Sequence, residues 1–279
     1  MKIRALRAGP AYSGRLERTA VPARAWLLPV LIMLAIAAPV FAEHFPGIPE
    51  TGVEVHNHGR LFYYNGDLSG MVEYVGRFEE PGLEYRYQSV TLGGYYRLHP
   101  NVKVGAFYRG LVGARHDDDW LDASPGWEWN DTRGRLEHLV MLDVTPRVLL
   151  EFLPGRSWVS SFKARYEYNL FNDDQTLLAR PGVTWFWLVD RQPLLNVSAQ
   201  YATYLSLNFG DTFWYRHGPY LNLLYHVAPW LQVDLSVGRQ STYWSESADF
   251  RRLHPGESYN NNVYSPWIFD LGMIVTLRE

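Results

Sequence analysis

Apolar and polar residues alternate with a period of two along much of this chain, most cleanly between Phe162 and Leu170. There Phe162, Ala164, Tyr166, Tyr168 and Leu170 interleave with Lys163, Arg165, Glu167 and Asn169. Successive side chains of an extended strand point to opposite faces, so this segment has one greasy side and one ionic side. The same pattern sets Val102, Val104, Ala106 and Tyr108 against Lys103, Gly105, Phe107 and Arg109. It returns with Leu231, Val233, Leu235 and Val237 against Gln232, Asp234, Ser236 and Gly238. Further strands are predicted over 68–78, 83–98, 135–153, 183–189, 194–207, 215–227 and 263–277, ten in all. Turn signals rich in Gly, Pro, Asn and Asp separate them at 79–82, 99–101, 154–157, 172–175, 190–193, 208–211 and 228–230. Two connections are long, 113–134 and 241–262. The stretch from Val53 to Tyr64 is also strand-like, and Asn65-Gly66 is a strong hairpin signal, but an eleventh strand breaks the even parity of a barrel. Ten strands, with 61–78 as one long first strand, are therefore favoured, and a strand hidden in 43–52 would make twelve.

Composition decides what surrounds such strands. The chain holds 11 Trp and 19 Tyr. A water-soluble sandwich would need a large core for these rings, whereas a membrane barrel spends them in girdles at the lipid headgroups. The uncharged run 192–210 is no membrane helix, because Asn196, Ser198, Gln200 and Thr203 would enter lipid unpaired on a helix but turn to the lumen from a strand. At the N-terminus Lys2, Arg4, Arg7, Arg15, Arg18 and Arg24 precede an apolar run from Ala25 to Phe41, and Val40-Phe41-Ala42 ends in a small residue. This is the layout of a cleaved secretory leader with cleavage after Ala42. A retained anchor is the rival, but Pro29 and Pro39 interrupt the run, which is shorter than the roughly 20 residues a spanning helix needs. Losing six positive charges and one negative shifts the formal charge from -3 to -8, which excludes nucleic acid as a natural partner. With no cysteine, disulfides and thiol chemistry are excluded as well.

The final strand adds a second line of argument. Phe269, Leu271, Met273, Val275 and Leu277 share one face, and Asp270, Gly272, Ile274 and Thr276 the other. Asp270, Gly272, Val275 and Leu277 resemble the C-terminal signal by which barrel proteins of the bacterial outer membrane are recognised for insertion, although Leu277 replaces the usual aromatic and Arg278-Glu279 follow it. That resemblance implies an all-β, antiparallel up-and-down transmembrane barrel in the outer membrane, inserted by the barrel-assembly machinery. The expected organisation is a leader over 1–42, a periplasmic or lumen segment over 43–60 and the barrel over 61–279. With the last strand ending in the periplasm, both long loops face the medium. Expected lumen residues are Glu73, Arg77, Glu84, Arg86, Arg97, Lys103, Arg109, Glu137, Asp143, Lys163, Arg165, Glu167 and Asp234. Their mixed signs allow either a polar interior of paired ions or a selectivity filter.

One loop invites chemistry. Arg115-His-Asp-Asp-Asp-Trp-Leu-Asp-Ala-Ser-Pro-Gly126 places three adjacent carboxylates beside a His, coupled closely enough for one to hold a proton or for the group to take a hard cation. With the strand-turn-strand unit before it, the segment resembles the omptins, ten-stranded outer-membrane proteases. By that resemblance Asp117 and Asp119 form a carboxylate pair that polarises the attacking water, with His254 as a further catalytic candidate. The family's Asp-x-His pair is missing, and Phe250-Arg-Arg-Leu253 stands in its place. The alternative is a solvated acidic surface that binds divalent ions between lipopolysaccharides. His56-Asn-His58 puts two imidazoles on one face without a third ligand nearby, and no Ser with a partner acid stands near His217 or His226. The expected function is a small porin-like channel for a polar solute or an exported product, with no cofactor or metal. An omptin-like protease or other barrel hydrolase is the first alternative, and a structural barrel that binds lipopolysaccharide or an envelope partner is the second.

Overall fold

The computed structural model describes residues 52–79, 84–115, 130–131, 136–153, 157–171, 173–208, 214–244 and 262–278. They form fourteen strands: β1 Val53–Asn65, β2 Leu68–Glu79, β3 Glu84–His99, β4 Val102–Arg115, β5 Asn130–Asp131, β6 Glu137–Leu149, β7 Trp158–Asn169, β8 Gln175–Val189, β9 Gln192–Ser206, β10 Trp214–Ala228, β11 Leu231–Arg239, β12 Ser241–Trp244, β13 Asn262–Tyr264 and β14 Trp267–Arg278. Eleven of these, all but β5, β12 and β13, make a closed wall in which each strand neighbours the next and β14 returns to β1. The short strands extend one rim: β5 pairs the end of β4, while β12 crosses onto β10 and hairpins with β13.

Adjacent wall strands are antiparallel except at the seam, where β1 and β14 run parallel from Val53↔Trp267 to Tyr64↔Arg278. An odd number of up-and-down strands forces this, because the first and last then point the same way. A parallel ladder is slightly weaker per residue than an antiparallel one, and the seam carries twelve register pairs, as many as the β1–β2 ladder. The chain therefore enters the wall at one end and leaves it at the other.

The strand count corrects the ten favoured and the twelve allowed by pattern. Asn65 pairs with Leu68, leaving Gly66 and Asp67 as a two-residue loop, with Gly66 at φ 59°. Residues 61–78 are thus the two arms of a hairpin and not one long strand. The wall starts at Val53, so 53–60 belong to the barrel and not to a segment preceding it. The parity rule that argued against eleven assumes antiparallel closure, and the parallel seam removes that assumption. β8 also begins earlier than its alternation suggests, at Gln175, because Leu177-Leu178 places apolar residues on both faces.

The two faces separate as the pattern requires. Leu142 is 54% exposed on the outer face, while Met141 beside it is wholly enclosed at 0%. Outward residues are apolar along most of the wall, among them Val72, Leu92, Leu221, Leu235, Leu271 and Met273. Inward ones are polar, ionic or small, with Glu54, Glu73, Thr91, Glu137, Asp143 and Asp234 all buried. Tight connections gather at one end, at 66–67, 100–101, 190–191 and 229–230, and both long connections leave from the other. Asp190 and Arg191 both take positive φ, 51° and 63°, as a two-residue hairpin with right-handed twist demands.

The parallel seam predicts a specific cross-link. Asn57 and Leu271 are register partners on β1 and β14 with outward side chains, so in this cysteine-free chain the pair Asn57→Cys with Leu271→Cys should join under a short bifunctional thiol reagent. A barrel closed through residues 68–78 against the last strand would leave them uncoupled.

Candidate functional site

The inner face of the wall brings together side chains from every part of the chain, and their charges organise it. On one side, β1, β2, β11 and β14 build a network around His58. Its Nδ1 lies 2.7 Å from Asp270 Oδ1 and its Nε2 lies 3.3 Å from Asp234 Oδ2. Arg60 donates Nε–H to Glu73 at 2.5 Å and reaches Asp234 at 3.4 Å. Asn222 on β10 also donates to Asp234. One layer nearer the long-loop end, Arg77 donates to His56 Nε2 at 2.8 Å and lies 2.6 Å from Glu54. The imidazole of His58 lies flat over Gly272, where any Cβ would collide with its ring. A glycine at 272 is therefore a condition of the network.

Across the lumen, β6 and β7 form a second network centred on Asp143, whose side chain is fully buried. Arg165 clamps Asp143 with two bonds of 2.5 and 2.9 Å, Lys163 reaches the same carboxylate at 3.0 Å, and Glu167 lies 3.5 Å from Arg165. Such fork-to-carboxylate pairing is strong because donors and acceptors are charged and geometrically matched. Removal of the acid would leave two neighbouring cations without the carboxylate they share, which costs about 3–5 kcal/mol for a buried pair.

Between the networks sits an apolar cluster of Met71, Phe107 and Met141, with Phe62 and Tyr95 packed against it. Tyr95 meets Phe107 edge to face at 4.8 Å between centroids. Opposite Tyr95 stands Gly105, where a Cβ would come within 2.7 Å of the Tyr95 ring, so the glycine makes room for the ring to pack against its own register partner. The Lys103 amine stands 4.0 Å above the Tyr95 ring centroid. Two cavities adjoin this pair. The larger, about 560 Å³, is lined by both charge networks, and the smaller, about 180 Å³, opens at the tight-turn end beside Gly66, Asp67, His99 and Pro100. Tyr95 and Lys103 line both cavities and so separate one from the other.

Glu73, Arg77, Lys103, Arg109, Glu137, Asp143, Lys163, Arg165, Glu167 and Asp234 all stand on the inner face, most of them in the larger cavity. Arg97 stands at the tight-turn rim, 3.7 Å from Asp67, with both side chains exposed. The side chains of Glu84 and Arg86, and the residues Asp117, Asp119 and His254, lie outside the described residues. In the C-terminal strand Asp270 and Gly272 turn inward and Val275 and Leu277 outward. The pattern left Glu54 and Arg60 unnoticed and gave His56 and His58 only as two imidazoles on one face and not as lumen residues; all four stand on the strand that parity argued away, although their spacing of two was a signal. It also missed Arg180 and Arg216, whose neighbours do not alternate cleanly. His56 and His58 serve the ion networks described above.

Compared with family models, with curated proteins and with solved structures, the chain matches none.

Two substitutions probe this interior. Asp143→Asn should lower stability by about 3 kcal/mol, read as a shift of the urea midpoint of the folded barrel. Gly272→Ala should displace His58 and lower the same midpoint, whereas Gly59→Ala, at an outward position with open space around it, should leave the midpoint in place.

Proposed function

We propose that the protein is a bacterial outer-membrane barrel that conducts small polar solutes through a gated lumen. The observation that carries this reading is the pair of polar cavities within an apolar-jacketed wall, separated by Tyr95 and Lys103. The jacket supports the membrane setting. Outward leucines, valines and aromatics recur along most strands of the wall, whereas a soluble monomer rarely exposes contiguous apolar patches of more than a few hundred Å². Trp185 and Trp187 stack at 6.3 Å near the tight-turn end with Trp158 beside them, and Tyr108 and Tyr201 pair with His138 and His217 toward the other end. Rings with one wet edge suit the two headgroup layers.

In this reading residues 1–42 form a cleaved leader, and Asp270, Gly272, Val275 and Leu277 present the last strand to the assembly machinery. The C-terminus then lies in the periplasm and the long loops face lipopolysaccharide and the medium. An eleven-stranded lumen falls between the filled interior of a barrel of about 8 strands and the open channel of one of about 16. A narrow path is what it can offer. The barrier between the cavities is one tyrosine ring held by a cation–π contact, worth about 1–2 kcal/mol when partly desolvated. A contact of that size yields to thermal motion and to the passage of a solute with its own charge or ring. The networks around His58 and Asp143 hold the flanking wall rigid while the ring moves.

Planar-bilayer recording of the purified barrel tests the proposal. Discrete conductance steps are expected, and Tyr95→Ala should raise the step size about twofold or more by widening the barrier. A silent bilayer for both proteins would sink the reading.

A further inference from the structure

The larger cavity is unequally charged. Among the described residues eight Lys and Arg side chains line it against four Asp and Glu. On the β1, β2, β11 and β14 side each cation has an acid: Arg60 lies between Glu73 and Asp234, and Arg77 sits on Glu54. On the β7 to β10 side the match fails. Asp143 is already shared by Lys163 and Arg165, and Glu167 stands near Arg165.

Arg180 stands on that side without an acid of its own. It is the direct register partner of Lys163 in the β7–β8 ladder, and like charges directly opposite each other repel. Its Nη2–H bonds the Tyr204 hydroxyl at 3.3 Å, and its guanidinium stands 5.9 Å from the Tyr220 ring centroid. Its Nε is buried without a hydrogen bond, and no acid pairs with it among the described residues. Gln200 lines the same part of the cavity, and Arg216 lies over the Tyr204 ring at 5.5 Å. A planar fork of donors with an ammonium across the ladder and aromatic faces beside it has the chemistry that grips an oxyanion through two parallel bonds. An anion placed there would turn the Lys163–Arg180 repulsion into two attractions.

We propose that Arg180 and Lys163, oriented by Tyr204 and Asp143, form a binding site for the carboxylate or phosphate group of a small solute. The site deepens the channel reading by naming the class of solute, but binding itself requires no conduction. Isothermal titration of the full-length mature barrel in detergent, at constant ionic strength, separates the two anions: one arm uses sodium acetate and the other inorganic phosphate. Saturable binding of at least one is expected. Arg180→Gln should weaken it roughly tenfold or more through loss of the charged fork, and Lys163→Gln should weaken it less. Arg97→Gln, at the rim, should bind as the parent does. Should Arg180→Gln fail to fold, Tyr204→Phe serves in its place, because it removes the hydroxyl that orients the guanidinium. The proposal is overturned if neither anion gives saturable heat, or if the folded variant binds as tightly as the parent. Binding with a silent bilayer would keep the site and remove the channel, and conductance without binding would do the reverse.

Discussion

Closure of the main-chain hydrogen-bond ladder is what the rest of this molecule rests on. A sheet of this size left open would present an unpaired edge at β1 and another at β14, each a row of N–H and C=O groups ready to pair with another chain. The chain removes both edges by laying β14 beside β1 in parallel along the full length of β1. This odd-stranded solution decides where things stand. It puts the start and finish of the wall at opposite ends and makes His56, His58 and Arg60 neighbours of Asp270 and Gly272, more than two hundred residues away.

Closure also creates an inside, and the inside needs its own electrostatics. Charged residues that alternate with greasy ones gather on the inner face, where they stand close to one another and partly out of water. Two networks answer this, one around His58, Asp234 and Asp270 and the other around Asp143, and each ties together strands that are not consecutive or carry opposite charges. The His58 network spans the seam itself, so the side chains reinforce the ladder at its one parallel pairing. Gly272 joins the two roles, since its lack of a side chain admits the imidazole while its strand carries the feature read as an assembly signal.

Rigid networks leave the middle of the lumen to softer contacts. Met71, Phe107 and Met141 fill one side mainly by apolar packing, with a single Arg165 N–H reaching the Met141 sulfur, and Tyr95 lies against Phe107 under Lys103. A ring held by dispersion and one cation–π contact moves far more cheaply than a bidentate ion pair. This division between a stiff wall and a yielding barrier is the physical basis for reading the barrel as a gated path.

The alternation in Phe162 to Leu170, Val102 to Arg109 and Phe269 to Leu277 determined by itself which residues face in and which face out. A strand's period of two is a local property that survives any register, and for that reason the barrel class and most lumen charges were legible. The number of strands was not. It turned on whether 61–78 bends at Gly66 and on how the two ends of the wall meet, and the second is a contact between residues that no local pattern relates. The partners of each charge were equally hidden, because Asp143 could have met any cation until the β6–β7 register set it against Arg165 and beside Lys163. The imbalance at Arg180 exists only as a difference between those pairings. Faces follow from covalent geometry, whereas partners follow from register, closure and twist, and only the assembled wall decides those.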